Sequence, residues 1–192
     1  EAPGAATLTG PAGTPAATVV DSTASLGGVF KGRLDLAGQV DLYRFTLTEP
    51  TWLYWNTLTD RSDIRARLTG PQGIRIDRAL SDTGDAGAGT NPLFLAPAGE
   101  YELSFDGNGT VKAAYGLRLM PLTTAEAMDY GATLSGRLDT QRAARAFTLE
   151  AAAGDRIYVD MQALTQPGYN AAWRLFDPFG QQVLLTEAND LD

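Results

Sequence analysis

The side chains that could do chemistry in this 192-residue sequence are carboxylates, hydroxyls, two lysines and thirteen arginines. The sequence has no histidine and no cysteine. The lack of histidine excludes Ser-His-Asp and Cys-His nucleophilic schemes, and the lack of cysteine excludes thiol catalysis, zinc thiolate sites and iron–sulfur ligation. Calcium binding through oxygen ligands is a metal chemistry that the acidic residues still permit.

Two loops combine acidic or amide side chains with glycine, as calcium-binding loops do, because calcium takes about six to eight oxygen ligands. The first loop contains Asp82 and Asp85, and the second contains Asp106 and Asn108. Neither loop has the spacing of an EF-hand. The alternative interpretations are a surface loop for the first and a hairpin turn for the second, since Asp-Gly and Asn-Gly tolerate positive φ.

Asp41 is the fifth candidate calcium ligand. The strand period places it on the same face as the apolar residues of a segment that ends at Leu47. A carboxylate beside an apolar strand face needs a hydrogen-bonding partner or a cation. Arg44 or Arg33 would supply a structural partner, and calcium is the alternative.

The aromatic segment at residues 52–55 is the candidate binding surface. In strand geometry Trp52 and Tyr54 face one way and Trp55 faces the other. One face must belong to the core. The other is either an aromatic surface that stacks on sugars or packs on a partner protein, or a surface covered by the linker or by the second half of the chain.

Neither catalysis nor binding to anionic partners is predicted. No spacing selects a pair of carboxylates for glycoside hydrolysis, and neither Lys31 nor Lys112 has a neighbouring catalytic signature. The net charge of −8 repels nucleic-acid backbones and anionic lipid surfaces. The longest apolar runs, such as residues 92–97, fall far short of the roughly 20 residues needed to cross a bilayer, so no membrane insertion is expected.

Short apolar–polar alternations separated by Gly, Pro, Asn or Asp predict an all-β chain. The predicted strands recur at the spacing of a β-sandwich. They cover residues 41–47, 52–58, 64–68, 74–76, 93–95, 101–105 and 115–119. Residues 1–24, rich in Ala, Gly, Pro and Thr, are predicted to be a linker or an edge strand.

Three ordered matches indicate two tandem copies of one module. Gly-Arg-Leu-Asp at residue 32 recurs at residue 136, Phe-Thr-Leu at 45 recurs at 147, and Leu-x-x-Pro-x-Gly at 68 recurs at 175. The offsets are 104, 102 and 107 residues. The shared letters have local explanations: a glycine where a strand enters a tight turn, inward-facing Phe and Leu, and a Pro-x-Gly turn between strands.

The repeat divides the chain into a first module at residues 25–122 and a second at residues 123–192. The second copy is predicted to be incomplete, because the position that matches Tyr101 would lie at about residue 205 by the repeat offset. Either a longer parent protein or another element supplies the missing strands. The second copy should be the less stable half unless its open edge is covered.

Several segments in order carry a family resemblance. They are Gly-x-Leu, the run Val-Asp-Leu-Tyr-Arg-Phe-Thr-Leu at 40–47, Leu-x-Gly-Pro-x-Gly at 68–73, Leu-x-Pro-Ala-Gly-Glu-Tyr-x-Leu at 95–103, and Tyr-Gly-Leu-Arg-Leu at 115–119. Together they resemble the bacterial pre-peptidase C-terminal domain family, which is similar in outline to the collagen-binding modules of secreted clostridial collagenases. The resemblance covers residues 25–120 well and 130–187 in degraded form.

The resemblance implies tandem jelly-roll-like antiparallel β-sandwiches that are non-catalytic, sometimes calcium-stabilised, and sometimes bound to an insoluble or polymeric target. In the second copy, Ala143 and Arg145 replace Asp41 and Tyr43, which puts a shared ligand site there in doubt.

The function that follows is a non-catalytic accessory or adhesion segment of a larger bacterial protein, located outside the cell, at its surface or in the periplasm. The expected partners are other domains of that protein and an extracellular protein or polysaccharide, with no nucleic acid. One alternative is a module that binds a protein or polysaccharide polymer and has calcium-stabilised loops. Another is the non-catalytic part of a secreted hydrolase.

Overall fold

The computed structural model describes residues 18–19, 26–82, 91–138, 142–160, 162–163 and 171–188. Regular structure in these ranges is almost entirely β-strand, with short 3-10 turns at Leu80–Asp82 and Leu122–Thr124. The all-β prediction is therefore confirmed. No helix in these ranges is long and apolar enough to cross a membrane.

The alternating segments predicted from the sequence lie in strands, except that residue 58 falls just beyond the end of its strand. Within residues 1–122, the described ranges contain nine strands. They are β1 (Thr18–Val19), β2 (Val29–Leu34), β3 (Val40–Leu47), β4 (Thr51–Thr57), β5 (Ile64–Gly70), β6 (Gly73–Ala79), β7 (Leu93–Ala96), β8 (Gly99–Gly107) and β9 (Ala113–Pro121). Strand β5 illustrates the period of two, because Ala66 is buried between the exposed side chains of Arg65 and Arg67.

These strands form two sheets that make a β-sandwich. The five-stranded sheet has the order β1-β3-β8-β5-β6, and the four-stranded sheet has the order β2-β9-β4-β7. Neighbouring strands are antiparallel except β1 and β3, which run parallel. Strand β8 is the centre of the five-stranded sheet, since it pairs with β3 on one side and with β5 on the other.

The core lies between the two sheets and is rich in aromatic rings. Phe105 of β8 and Tyr115 of β9 stack with their ring centroids 4.1 Å apart, and Tyr43 of β3 lies edge-on to Phe105 at 5.8 Å. Phe30 and Leu103 are fully buried beside them. Burial of each large apolar side chain contributes about 1.5–3 kcal/mol, so this shared core is the main source of the module's stability.

Gly32 lies within β2 and not where the strand enters a turn, so the sequence explanation for this glycine is wrong. It pairs with Tyr115 across the β2–β9 ladder. A Cβ atom at Gly32 would lie 2.3 Å from the Tyr115 hydroxyl oxygen. The glycine is therefore required because the tyrosine ring crosses the backbone at this position.

The described residues of the predicted second copy contain four strands. They are β10 (Glu126–Met128), β11 (Phe147–Leu149), β12 (Ala171–Phe176) and β13 (Gln182–Ala188). β10 and β11 form a parallel pair, and β12 and β13 form an antiparallel pair. The Pro-x-Gly turns predicted in both copies are confirmed, with Gly73 and Gly180 at φ values of 93° and 77° that favour glycine.

Candidate functional site

The first candidate site is a buried carboxylate between the two sheets. Asp41 is 2% exposed, because the alternation of β3 turns its side chain inward together with Tyr43 and Leu47. A carboxylate at this depth needs hydrogen-bond donors in place of water.

Two donors satisfy the Asp41 carboxylate. The Tyr115 hydroxyl donates to Oδ2 at 2.6 Å, and Gln39 Nε2 donates to Oδ1 at 2.8 Å. The Tyr43 hydroxyl lies 2.7 Å from the Tyr115 hydroxyl and 2.9 Å from the Lys31 carbonyl oxygen. The cluster therefore connects β3 of the five-stranded sheet with β2 and β9 of the four-stranded sheet.

Gln39 also holds the turn between β2 and β3. Its Oε1 accepts the backbone N–H groups of Asp35 and Leu36 at 2.8 and 3.0 Å, and its Nε2 donates to the Arg33 carbonyl at 3.1 Å. Because the same amide contacts Asp41, the turn geometry and the buried carboxylate stabilise each other.

The two tyrosines of the cluster are held in their neutral form. Burial raises the pKa of the Tyr115 hydroxyl far above its usual range, and the hydrogen bonds to Asp41 and Tyr43 raise it further. Burial also raises the pKa of Tyr43, although the hydrogen bond with Tyr115 opposes this. Both hydroxyls therefore remain hydrogen-bond donors at neutral pH, and neither is an activated nucleophile or base.

We expect an alkaline loss of stability from this cluster. Above pH of about 10 the tyrosines of the unfolded chain ionise while Tyr115 stays protonated in the fold, so stability falls as pH rises, by about 1.4 kcal/mol per pH unit for this tyrosine. Tyr115→Phe should make the fall in unfolding free energy with pH less steep by the amount that one tyrosine contributes. Tyr158→Phe, which alters a side chain that is 87% exposed, is the control. Urea unfolding at pH 9–12 measures the slope, and equal slopes for wild type and Tyr115→Phe would contradict the assignment.

The predicted arginine partners of Asp41 are wrong. Arg44 faces outward and pairs with Glu102 across the β3–β8 ladder at 3.1 Å. Arg33 pairs with Asp35 at 2.8 Å on the exposed surface. Both arginine side chains point to solvent, because the alternation of β2 and β3 turns residues 33 and 44 away from the core.

The four candidate calcium ligands that the structure describes do not form a metal-binding group. Asp82 is exposed in the 3-10 turn, while Asp106 and Asn108 are exposed at the end of β8 and in the turn after it. Asp85 lies outside the described residues. Both oxygens of Asp41 are hydrogen-bonded within the core. Among the residues with described placement, no group of three or more acidic, His or Cys side chains is arranged to hold a metal ion.

The second candidate site is the outer face of β4. Trp55 is 2% exposed and belongs to the core, whereas Tyr54 faces the other way and is still only 9% exposed. Trp52, on the same side as Tyr54, is half-buried. The aromatic segment therefore does not form an exposed surface, because β4 is covered on both faces.

The second copy covers this outer face through apolar contacts. Tyr54 packs edge-to-face against Phe176 of β12 with ring centroids 6.2 Å apart. Leu93 and Met120 complete a small buried cluster with Tyr54. The partly buried residues packed against this cluster are Trp52, Leu122, Ala144, Ala146 and Phe176. We call this outer face of the four-stranded sheet the docking face.

Polar side chains of the docking face bind main-chain carbonyl groups of the second copy. Asn56 donates to the Arg142 carbonyl at 2.7 Å, and Asn91 donates to the Gly180 carbonyl at 2.7 Å. Arg118 donates to the Ala144 carbonyl and to Asn56 Oδ1. Burial lowers the pKa of Arg118, which is consistent with a guanidinium partly removed from water.

An ion pair lies at the rim of the same contact. Arg142 of the second copy pairs with Asp60, which follows β4, and the Asp60 side chain is 61% exposed. Solvent screening makes such an exposed pair a minor contribution. The apolar cluster and the three carbonyl contacts therefore carry most of the interaction.

Gly180 allows Trp52 to close against the second copy. A Cβ atom there would lie 2.3 Å from two ring carbons of Trp52. Gly180→Ala should therefore separate β12–β13 from the docking face, with faster hydrogen exchange in these strands and a red shift of Trp fluorescence. The matched control is Gly154→Ala, because Gly154 also has a positive φ, of 96°, with no atom near its Cβ position. Equal effects of the two variants would contradict the contact.

Sequence reasoning missed Gln39, Tyr115, Asn56 and Arg118. The period of two places Asn56 on the same face of the strand as Trp52 and Tyr54. A strand face that combines aromatic residues with a polar one is typical of a protein contact, so this signal was present in the sequence. The Tyr115 hydroxyl has no such signal, since its partner lies 74 residues away.

Comparison with known proteins gives distant structural similarity. No family model and no curated protein matches the sequence. The pre-peptidase C-terminal domain of collagenase from Bacillus anthracis is 17% identical, covers 54% of this chain and 93% of its own, and has a TM-score of 0.38. Salmonella Typhimurium PliG, a periplasmic lysozyme inhibitor of g-type lysozyme, is 19% identical over 48% of this chain and 89% of its own, with a TM-score of 0.33.

A PliG mutant from Escherichia coli, also a periplasmic inhibitor of g-type lysozyme, is 17% identical over 53% of this chain and 95% of its own, with a TM-score of 0.35. Each match spans about half of this chain and nearly all of the neighbour. The collagenase domain belongs to the family that the sequence resembles.

Proposed function

We propose that this chain is a non-catalytic β-sandwich segment of a larger secreted or surface protein, and that its work is to hold other protein segments in place. The docking face is the observation that carries the proposal. Its asparagine and arginine side chains bind backbone carbonyl groups around an aromatic cluster, a pattern that suits contact between modules. The sequence resemblance supports an extracellular, cell-surface or periplasmic location.

The buried carboxylate cluster supports a structural role over a catalytic one. Asp41, Tyr115 and Tyr43 satisfy one another inside the core, and Asp41 is 2% exposed. A catalytic group must reach a substrate. The polar groups of this cluster hydrogen-bond to one another inside the core, so a substrate would not reach them.

Incubation of the full chain with peptide, ester and glycoside substrates tests the proposal. No turnover above the buffer rate is expected. Turnover that scales with protein concentration and is lost in Asp41→Asn would contradict it. The Trp52→Ala variant tests the contact itself. It should weaken the contact between the copies and make the second copy more sensitive to protease, without unfolding the first copy.

Calcium binding by the candidate ligands Asp41, Asp82, Asp85, Asp106 and Asn108 stays a prediction from the sequence. A ligand that binds only the folded chain raises the unfolding midpoint. Millimolar calcium should therefore raise the midpoint of the wild type and not that of a variant with Asp82 and Asp106 changed to Asn. An unchanged wild-type midpoint would remove the proposal.

Adhesion to a protein or polysaccharide polymer is a more specific version of the proposed function. Sedimentation of the chain with insoluble collagen or polysaccharide measures it directly. Retention that persists in Trp52→Ala would place the polymer contact away from the docking face. The absence of retention on every polymer would leave contact between protein modules as the function.

A further inference from the structure

The connection between β8 and β9 carries the only Asn-Gly pair of the sequence. Strand β8 ends at Gly107 and β9 begins at Ala113, so Asn108 and Gly109 lie in the turn between them. Both residues are exposed, and Gly109 has a φ of 69°, in the region that favours glycine. A Cβ atom at Gly109 would meet no other atom within 4 Å. The turn therefore presents an asparagine side chain and the following backbone N–H to solvent.

Two main-chain hydrogen bonds tie this turn to the rest of the first module. The Asn108 N–H donates to the Asp63 carbonyl at 2.9 Å, and the Gly109 carbonyl accepts the N–H of Gly38 at 3.2 Å. The Asn108 side-chain amide and the Gly109 N–H form no hydrogen bond with the described residues. Within the described part of the structure, neither group is therefore held away from the other by a hydrogen bond.

An asparagine amide beside an unhindered backbone N–H can close a five-membered imide ring. The Gly109 nitrogen loses its proton to hydroxide and forms a bond to Cγ of Asn108. The Cγ–Nδ2 bond then breaks, and Nδ2 takes a proton from water and leaves as ammonia. Intramolecular attack of this kind is favoured because the chain holds the reacting atoms together. Glycine, which has no side chain, leaves the approach of its nitrogen unobstructed.

Water opens the imide at either of its two carbonyl carbons. Attack at Cγ breaks the new bond and leaves aspartate in an unchanged main chain. Attack at the α-carbonyl carbon breaks the original peptide bond and leaves isoaspartate, whose main chain runs through Cγ. The net reaction consumes water, releases ammonia and replaces the side-chain NH2 by OH, and it needs no oxidant or reductant.

We propose that Asn108 is a modification site, at which the folded protein converts an asparagine to aspartate and isoaspartate with water as the only co-reactant. The reaction adds a negative charge to the turn that already follows Asp106. This proposal is independent of the module contact proposed above. Asn108 follows a strand of the five-stranded sheet, whereas the docking face belongs to the four-stranded sheet.

The other asparagines with described placement lack this combination of features. Asn56 is fully buried, and its amide nitrogen and oxygen are both hydrogen-bonded. The residue after it, Thr57, is β-branched and also fully buried. Asn91 precedes Pro92, which has no backbone N–H to attack with. Among these three asparagines, the structure therefore leaves Asn108 as the reactive one.

Isoaspartate should disturb the turn more than aspartate does. It inserts an additional methylene group into the main chain between the Asn108 N–H and the Gly109 carbonyl, the two groups that tie the turn to the rest of the module. The second tie ends at Gly38, next to the Gln39 side chain that binds Asp41. The isoaspartyl form should therefore unfold at a lower urea concentration than Asn108→Asp, which adds the same charge without changing the main chain.

The test incubates the full 192-residue chain at mildly alkaline pH, in buffer and in urea that unfolds it. Mass spectrometry that localises the change follows the replacement of NH2 by OH at each asparagine. At Asn108 the rate in the folded chain should lie within about tenfold of the rate in urea, because the exposed turn needs no opening. At Asn56 the fold should slow the reaction by more than about tenfold, because that buried amide reacts only through local unfolding.

A pair of glycine variants tests the imide route. Gly109→Ala should slow the reaction at Asn108 several-fold, because the new methyl group hinders the attacking nitrogen. Gly154→Ala is the matched control, since Gly154 also has a positive φ and no atom near its Cβ position, and it should leave the rate unchanged. Equal rates at Asn108 in the two variants would overturn the proposed route.

Two further outcomes would contradict the proposal. A rate at Asn108 that is more than about tenfold lower in the folded chain than in urea would overturn it, since the two ties would then hold the amide out of reach of the backbone nitrogen. Equal unfolding midpoints for the isoaspartyl form and Asn108→Asp would overturn the predicted loss of stability. Modification at Asn108 in buffer, slowed by Gly109→Ala alone, supports the proposal.

Discussion

Gly32→Ala should lower the free energy of unfolding of the first module by about 3 kcal/mol, because the new methyl group overpacks the core and displaces a buried hydroxyl. The Cβ atom would lie 2.3 Å from the Tyr115 hydroxyl oxygen and 2.6 Å from the ring carbon that bears it. Tyr115 cannot move aside without giving up its hydrogen bond to Asp41. Urea unfolding followed by Trp fluorescence measures the loss.

Gly116→Ala is the matched control for this substitution. Gly116 lies on β9 beside Tyr115 and pairs with Lys31 of the same ladder. The nearest atom to its Cβ position is Leu58 Cβ at 3.5 Å, which is an ordinary contact. Alanine at this strand position should change stability by less than about 1 kcal/mol. Similar losses for the two variants would mean that the Tyr115 hydroxyl is not fixed in the core.

Tyr115→Phe should cost about 2–3 kcal/mol, since a hydrogen bond to a buried carboxylate is lost and Asp41 Oδ2 is left without a donor. Tyr43→Phe should cost only about 1 kcal/mol, because the Tyr43 hydroxyl bonds to neutral groups and leaves no charge uncompensated. Both substitutions keep the ring, and therefore the aromatic packing around Phe105.

A double-mutant cycle separates the buried charge from packing. Asp41→Asn replaces the carboxylate with a neutral amide, which is less costly to leave partly unsatisfied. Tyr115→Phe should therefore cost less in the Asp41→Asn background than in the wild type. Additive losses in denaturant unfolding would show that the two side chains act independently.

The strands were predictable because their signal is local. The alternation of apolar and polar residues in β5 and β8 depends only on which face meets the core, and the turn residues between strands have local conformational causes. The sandwich follows from many such strands at short spacing. The sheet order was not predictable in this way, since β8 lies between β3 and β5 although β4 separates them in sequence.

The candidate site was predicted less completely because its partners are distant in sequence. The inward position of Asp41 follows from the period of β3, whereas its donor Tyr115 comes from another sheet. The same limit applies to Trp52 and Tyr54. Their strand and face follow from the alternation, but the contact that covers them comes from Phe176, more than a hundred residues along the chain.

The central position of β8 has a consequence for the order of events during synthesis. β8 and β9 leave the ribosome after all the other strands of the first module, yet β2, β3, β4 and β5 all pair with one of them. Before then, the nascent chain can form only the β1–β3, β4–β7 and β5–β6 ladders of the described strands. Long sequence separations of this kind slow folding, because the entropy cost of closing a long loop arises before the contacts that offset that cost have formed. The first module should therefore fold late and cooperatively, as its last two strands emerge.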